Sequence, residues 1–298
     1  MMTDAFAAPG KFYRGNVHTH STKSDGRLDP AEVCRRYREA GYDFLALTDH
    51  FLAKYGFPIV DTTQFRTNLF TTILGAEVHA SVNSNGEKWH ILAVGLPADF
   101  TPTSDTETGV QLAARARAAG AFVGIAHPQW SALSFEDGVS MAAHAHSVEI
   151  YNHGSELESA RGDGTYLHDA LLSAGHRLTA YAADDAHFRY EDGFGGWVMV
   201  KAETNEPSAL LEAMKAGHFY SSQGPVIESF SIADGAAHIA CSPATNIALV
   251  GRGTRAKHVL AANLTKAELP TALFAGDWCR LVVTDADGKS AWSNPVWL

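Results

Sequence analysis

Between about residue 12 and residue 224, short apolar runs alternate with stretches of helical periodicity, which predicts a parallel sheet covered by helices. Strands are expected at Val17–His20, Phe44–Thr48, Thr72–Ala76, His90–Gly95, Phe122–Ala126, Val148–Tyr151, Leu178–Ala182 and Val198–Lys201. The first helix has the clearest signals: Asp29 as N-cap, Pro30 at the first helical position, Glu32 in the first turn and Gly41 as the stop. Further helices fit Gly109–Ala119, Thr165–Ala174 and Pro207–Ala216, the last two closed by Gly175 and Gly217. Eight strands with fewer helices point to an irregular barrel, with a doubly wound open sheet as the alternative.

After Gly224-Pro225 the texture changes. Short β-type runs at Ile227–Ile232, Ile247–Val250 and Arg280–Thr284 follow one another almost without helical periodicity, and Asp285-Ala286-Asp287-Gly288 reads as a hairpin turn before Ser290–Ser293. The expected organisation is a large α/β domain over 1–224 and a small antiparallel, sandwich-like β domain over 225–298. The second carries no cluster of catalytic residue types, so packing or partner contact is its expected role.

At 298 residues and 46% apolar content, the chain has the composition of an ordinary globular protein. Its net charge of −10 comes with no basic run, which excludes an electrostatic footprint for nucleic acid or anionic lipid. Cys34, Cys241 and Cys279 are scattered and odd in number, which argues against a disulfide framework and for a reducing compartment. The segment Met1–Pro9 lacks a basic region followed by a long apolar run, and no run reaches membrane-spanning length, so a cytoplasmic location is expected.

Against this map the histidines fall in a pattern. His18 and His20 are two residues apart at a strand end and so point to one side. Asp25 follows in Ser24-Asp25-Gly26, His50 ends the second strand in Thr48-Asp49-His50, and Glu77 ends the third. His90 lies in the fourth run, His127 follows the fifth, and Asp185 and His187 follow the seventh. Carboxyl ends of parallel strands are where α/β active sites are built, and independent core histidines would not line up there. Mixed imidazole and carboxylate donors without thiolates suit Zn²⁺, Mn²⁺ or Fe²⁺ in a catalytic rather than a structural site.

The ordered segments His18-Thr19-His20-Ser21, Ser24-Asp25-Gly26, Thr48-Asp49-His50, Gly75-Ala76-Glu77, His127-Pro128 and Asp185-Ala186-His187 resemble the successive motifs of the PHP (polymerase and histidinol phosphatase) superfamily. Val148–Asn152, Ala174–Arg177 and Leu210–Tyr220 resemble more narrowly its branch of CehA/McbA-type metallohydrolases. The resemblance implies a distorted (β/α)7 barrel with two or three divalent metals. It places His18, His20, Glu77 and Asp185 on the first, Glu77, His90 and His127 on the second, and Asp25, His50 and His187 on the third, with His79 a rival to His90. Where relatives read Gly-Ser-Asp-Ala-His, this chain has Ala183-Asp184-Asp185-Ala186-His187; Asp184 either orients a ligand histidine or faces away. Asp49 and Glu149 either orient a ligand in the same way or make structural hydrogen bonds only.

Metal binding lowers the pKa of water to about 7, so hydrolysis at such a centre needs no Ser or Cys nucleophile. Three divalent ions against three carboxylates leave a positive centre suited to phosphate. The leading expectation is a metal-dependent phosphoesterase or phosphatase acting on a small phosphorylated metabolite such as a nucleotide, sugar phosphate or cyclic phosphate. His50 or His187 would protonate the leaving group, and Lys23, His153, Arg161 and Arg189 would contact the substrate. A hydrolase of carbamates, esters or amides is the alternative, since the same chemistry attacks a carbonyl. A non-catalytic metal-binding interaction protein is third, and a polymerase-associated role ranks below it, since neither a polymerase-sized region nor a nucleic-acid-binding patch accompanies the barrel.

Overall fold

The computed structural model describes residues 5–298; residues 1–4, the start of the segment read for a leader, lie outside the described residues. The chain runs β1 (Lys11–Asn16), α1 (Pro30–Glu39), β2 (Phe44–Leu47), β3 (His50–Phe51), β4 (Thr71–Val82), β5 (Lys88–Val94), α2 (Gly109–Ala118), β6 (Phe122–Ile125), α3 (Phe135–Ala142), β7 (Ser147–Asn152), α4 (His153–Ser159), α5 (Thr165–Ser173), β8 (Thr179–Ala183), β9 (Trp197–Ala202), α6 (Pro207–Ala216) and β10 (Phe219–Ser222). It continues with β11 (Ile227–Ala233), β12 (Ala236–Gly251), β13 (Ala256–Pro270), β14 (Trp278–Thr284), β15 (Ser290–Ser293) and β16 (Val296–Trp297). Among the described residues, no helix is long and apolar enough to cross a membrane.

Local chemistry explains the helices that the pattern predicts. The Asp29 carboxylate accepts from the Glu32 amide at 2.9 Å to start α1 at Pro30. Thr108 and Gln111 form a reciprocal capping box on α2. Gly217, at φ 82°, closes α6 in a conformation that costs glycine little. The short helices α3 and α4 lie where no helix was expected; eight and seven residues are too few for a periodic pattern to register.

The expected closed barrel is not what forms. The strands make one open sheet in the order β11-β12-β14-β15-β10-β9-β1-β2-β4-β5-β6-β7-β8, with β13 on β12, β16 on β14 and β3 on β4. Parallel pairs join β1 to β2, β2 to β4, β6 to β7 and β7 to β8, but β5 is antiparallel to both β4 and β6, and β9 to both β1 and β10. These antiparallel insertions break the repeating strand–helix unit. At the β8 end, side chains replace a ladder: the Ser221 hydroxyl accepts from Ala182 N and donates to Ala180 O, both at 2.9 Å, and Asn294 Oδ1 takes Ala180 N. On the other side the ladder passes unbroken from β10 into β15, so the strands after residue 225 extend the same sheet.

Apolar clusters fill both faces. One lies beneath β4, β5 and β6 with Leu112, Met141 and Leu171 from the helices; another joins Tyr13, Phe44, Val198 and Phe219. A third packs Ile247, Leu281 and Phe274 of the C-terminal strands against Tyr220, with Phe12 beside it.

Candidate metal centre

His18 and His20 lie just past β1, in a segment held extended by Asp185 N to His18 O (2.8 Å) and His20 N to Ala186 O (2.9 Å). Those bonds set the two histidines beside Asp185 and His187. Glu77 was expected at a strand end; it stands in the middle of the twelve-residue β4, where alternation puts Glu77 and His79 on one face. Pairing adds their neighbours, since His50 in β3 is the register partner of Glu77 and His90 in β5 that of His79. His127 follows β6, and Asp185 and His187 follow β8. His127 and Asp185 have positive φ of 25° and 54°, a strained backbone at two of the positions facing Glu77 and His18.

The side chains converge on Glu77, which is fully buried. Its Oε1 is 2.6 Å from His90 Nδ1 and 3.0 Å from His127 Nε2. Its Oε2 is 2.6 Å from His50 Nδ1, 3.6 Å from His20 Nε2 and 3.7 Å from His18 Nε2. Asp185 Oδ1 is 2.9 Å from His20 Nε2 and 3.3 Å from His18 Nε2. Asp25 Oδ1 is 3.3 Å from His187 Nε2 and 3.4 Å from His50 Nε2. All nine residues expected as ligands are therefore brought together. Buried polar atoms normally find partners, yet His18 Nε2, Glu77 Oε2 and Asp25 Oδ1 have no hydrogen bond. Nitrogen and oxygen donors that converge while three of their buried atoms go without a hydrogen bond fit divalent cations.

Charge is unevenly shared. Burial penalises the Glu77 and Asp185 carboxylates, but the surrounding imidazoles outweigh it and hold both well below the usual range. Burial also opposes the His187 imidazolium, and the Asp25 and Asp185 carboxylates overcome it, taking His187 up to about 9. Against burial, Asp185 and Glu149 likewise raise His18. His20 goes the other way, to about 4, through burial and the neighbouring His187 and His50. A metal entering this centre must displace the protons that some of these rings hold.

A supporting layer fixes the donors. Glu149, Asp49 and Asp184 were each read two ways. Glu149 Oε1 is 3.0 Å from His18 Nδ1 and its Oε2 accepts from His127 N at 2.6 Å, so Glu149 orients two of the nine. Asp49 accepts from Ser21 N (2.8 Å), Ser21 Oγ (2.7 Å) and Ser24 Oγ (2.6 Å), which shapes the loop presenting Asp25. Gly26 in that loop has no room for a side chain, since a Cβ would stand 2.6 Å from the His20 carbonyl carbon. Asp184 faces away from the histidines: Asn16 Nδ2, Tyr37 OH and the amides of Phe194, Gly195 and Gly196 all donate to it, tying β1, α1 and the 194–196 loop together.

An open cleft of about 530 Å³ reaches the centre, lined by Asp25, His50, His90, His127, Asp185 and His187 with Trp130, Glu158, Arg189 and Tyr190 at its sides. Of the four residues expected to touch substrate, only Arg189 is there, donating to Asp25 O at 2.9 Å and Asp25 Oδ2 at 3.0 Å. Lys23 lines a separate groove with Pro30, Ile59 and Phe65. His153 bonds Tyr151 OH at 2.9 Å beneath Gly195, and Arg161 is an exposed residue beyond α4, so neither lines the cleft. Trp130 stands edge-on to His90 and His127 with ring centroids 5.5 and 5.0 Å away, a placement no sequence signal announces.

No family model matches the chain. An uncharacterized protein of Methanocaldococcus jannaschii is 23% identical over 207 residues, covering 67% of this chain and 84% of that one. A crystal structure from Bacteroides vulgatus, described as a two-domain protein containing a predicted PHP-like metal-dependent phosphoesterase, matches with a TM-score of 0.55 at 15% identity over 99% of both chains. The two share a fold, and the likeness includes the C-terminal strands. An amidohydrolase of Chromobacterium violaceum matches 60% of this chain and 89% of its own at 16% identity and a TM-score of 0.43, too low to bear on function.

Proposed function

We propose that the chain is a metal-dependent phosphoesterase of the PHP superfamily, in its CehA/McbA-type branch, cleaving a small phosphorylated metabolite. The observation that carries the reading is the ring of donors around Glu77, with His18 Nε2, Glu77 Oε2 and Asp25 Oδ1 buried and unpartnered. His18, His20, Glu77 and Asp185 would hold one cation, Glu77, His90 and His127 a second, and Asp25, His50 and His187 a third. Divalent ions bound there supply Lewis acidity that acidifies water and neutralises phosphoryl oxygens. Zn²⁺, Mn²⁺ and Fe²⁺ suit the donor set.

The chain's own residues supply position and protons. Arg189, anchored on Asp25 at the cleft wall, offers a planar guanidinium to phosphoryl oxygens. His187 and His50 face the cleft through Nε2, and whichever ring is not committed to a cation carries the proton for the leaving oxygen. The test is a panel of phosphomonoesters and phosphodiesters assayed on protein loaded with Mn²⁺, Zn²⁺ or Fe²⁺, beside an aryl ester and an aryl carbamate. Turnover of phosphates with competition by inorganic phosphate is expected. A fully metal-loaded protein that leaves every phosphate ester intact would overturn the reading, and turnover of the carbamate alone would replace it. Arg189→Ala should raise KM for the phosphate ester about tenfold, the worth of one charge-assisted hydrogen bond, with a smaller change in kcat.

A further inference from the structure

We propose that His79 is a tenth metal-binding residue, holding a divalent cation together with Glu77, His50 and His90 at a position that competes with the Asp25–His187 position; this rests on the reading above that the centre binds cations. The four donors lie on three neighbouring strands and within 4.8 Å of one another. Strand alternation and register alone put them on one face, since Glu77 and His79 are two apart in β4, His90 pairs with His79, and His50 pairs with Glu77.

The atoms converge in a way that hydrogen bonding does not satisfy. Glu77 Oε2 is 2.6 Å from His50 Nδ1, His50 Nδ1 is 2.9 Å from His79 Nε2, and His79 Nε2 is 3.8 Å from Glu77 Oε2. An ionised carboxylate only accepts, so the His50 proton belongs to Glu77 or to His79 but not to both. One edge of the triangle is then bonded, and His79 and Glu77 face each other as acceptor against acceptor. A cation at the centre takes a lone pair from each corner, and ligand atoms held ~2.1 Å from an ion in a tetrahedron stand roughly 3.4 Å apart, within the range of 2.6 to 3.8 Å spanned by the three spacings here. His79 is 3% exposed and its other nitrogen, Nδ1, has no partner, so the ring's only hydrogen bond among the described residues is the one to His50, itself a candidate ligand.

Three imidazoles and one carboxylate favour a borderline ion such as Zn²⁺ or Co²⁺ over Mg²⁺ or Ca²⁺. His50 turns Nδ1 to this position and Nε2 to Asp25, and a neutral ring has one free lone pair, so His50 serves one of the two positions at a time.

Anomalous diffraction from crystals of the whole protein grown with Zn²⁺ decides the matter. Density within bonding distance of His79 Nε2 and Glu77 Oε2 is expected. Zinc at the other clusters with none touching His79 would overturn the proposal while leaving the phosphoesterase reading intact. Titration with Co²⁺, followed by absorption of the bound ion, gives a second readout independent of catalysis. His79→Leu should lose the signal of the three-imidazole position and bind Co²⁺ at the Asp25–His187 position more readily. Identical titrations for His79→Leu and the wild type would also sink it. Should the variant fail to fold, the wild-type crystals still give the answer.

Discussion

At the scale of single residues, the second rank of side chains does as much to build this centre as the donors. Asp49 is 1% exposed and its carboxylate bonds to none of the nine candidate ligands, yet it receives three hydrogen bonds from the loop that carries Asp25. Replacing it leaves a buried amide and two hydroxyls without an acceptor. Asp49→Ala should therefore cost about 3 kcal/mol in urea unfolding. It should also weaken binding at the Asp25–His50–His187 position roughly tenfold or more while sparing His18 and His20, because an orienting partner typically tunes affinity by that much. Metal titration of the variant checks it, and an unaltered affinity at every position would mean the loop holds Asp25 without help. The nine candidate ligands were legible as a set because a metal needs particular atoms, and Asp, Glu and His near strand ends offer them. Their supporters were not. Asp184 and Asp49 carry the same carboxylate, and only the fold reveals that one binds a distant loop and the other shapes the site. Lys23, His153 and Arg161 lie off the cleft, because a polar residue near the rim says nothing about which way its backbone turns it.

At the scale of elements, helix starts and stops were readable because they depend on a few consecutive residues, as with Asp29, Pro30 and Glu32. Strand pairing depends on partners far apart in sequence. Glu77 and His90 reach the same point through an antiparallel β4–β5 ladder, whereas the apolar runs alone suggested that Glu77 ends its strand. The outer strand β13 escaped notice because most of it is exposed and only Val259, Leu264, Ala267 and Leu269 pack inward, at spacings that do not keep a period of two. The end of the sheet at β8 is another non-local feature. There the Ser221 hydroxyl stands in for a neighbouring strand, bonding Ala180 O and Ala182 N, and all three residues are buried. Ser221→Ala strips both backbone groups of their partner with no room for water to enter from outside. A loss of about 2 kcal/mol is expected, together with faster hydrogen exchange at the Ala182 amide. Unchanged exchange at that amide would show that the hydroxyl does not seal the seam.

At the scale of the whole molecule, alternation and composition foretold a mixed α/β protein with a β-rich end, but not that the two regions share one sheet through β10 and β15. The same packing binds helix α5 to the C-terminal strands: Arg280, 4% exposed, makes a two-pronged pair with Asp169 at 2.9 Å, next to the fully buried His168. His168 shares its one proton with Leu178 O through Nε2 at 3.1 Å, leaving Nδ1 buried and unpartnered. Burial, helped by the Arg280 charge and only partly offset by the Asp169 carboxylate, pushes its pKa down to about 4 from the ordinary 6.5. The sign follows from which state takes the proton first. Above pH 6.5 the ring is neutral folded or unfolded and contributes nothing to pH dependence. Between 6.5 and about 4 the unfolded chain is protonated and the folded chain is not, so stability falls as the pH falls, by about 3 kcal/mol over the full window. Other histidines titrate too, and metal affinity itself varies with pH, so the wild type alone cannot isolate this residue. His168→Gln keeps a donor for Leu178 O but does not titrate. In chelator-treated protein, lowering the pH from 7.5 to 5 should destabilise the wild type by about 2 kcal/mol more than His168→Gln in urea unfolding. Parallel pH profiles for the two proteins would mean that His168 takes up its proton in the fold as readily as in the open chain, the Asp169 carboxylate 3.7 Å from Nδ1 then cancelling burial and the Arg280 charge.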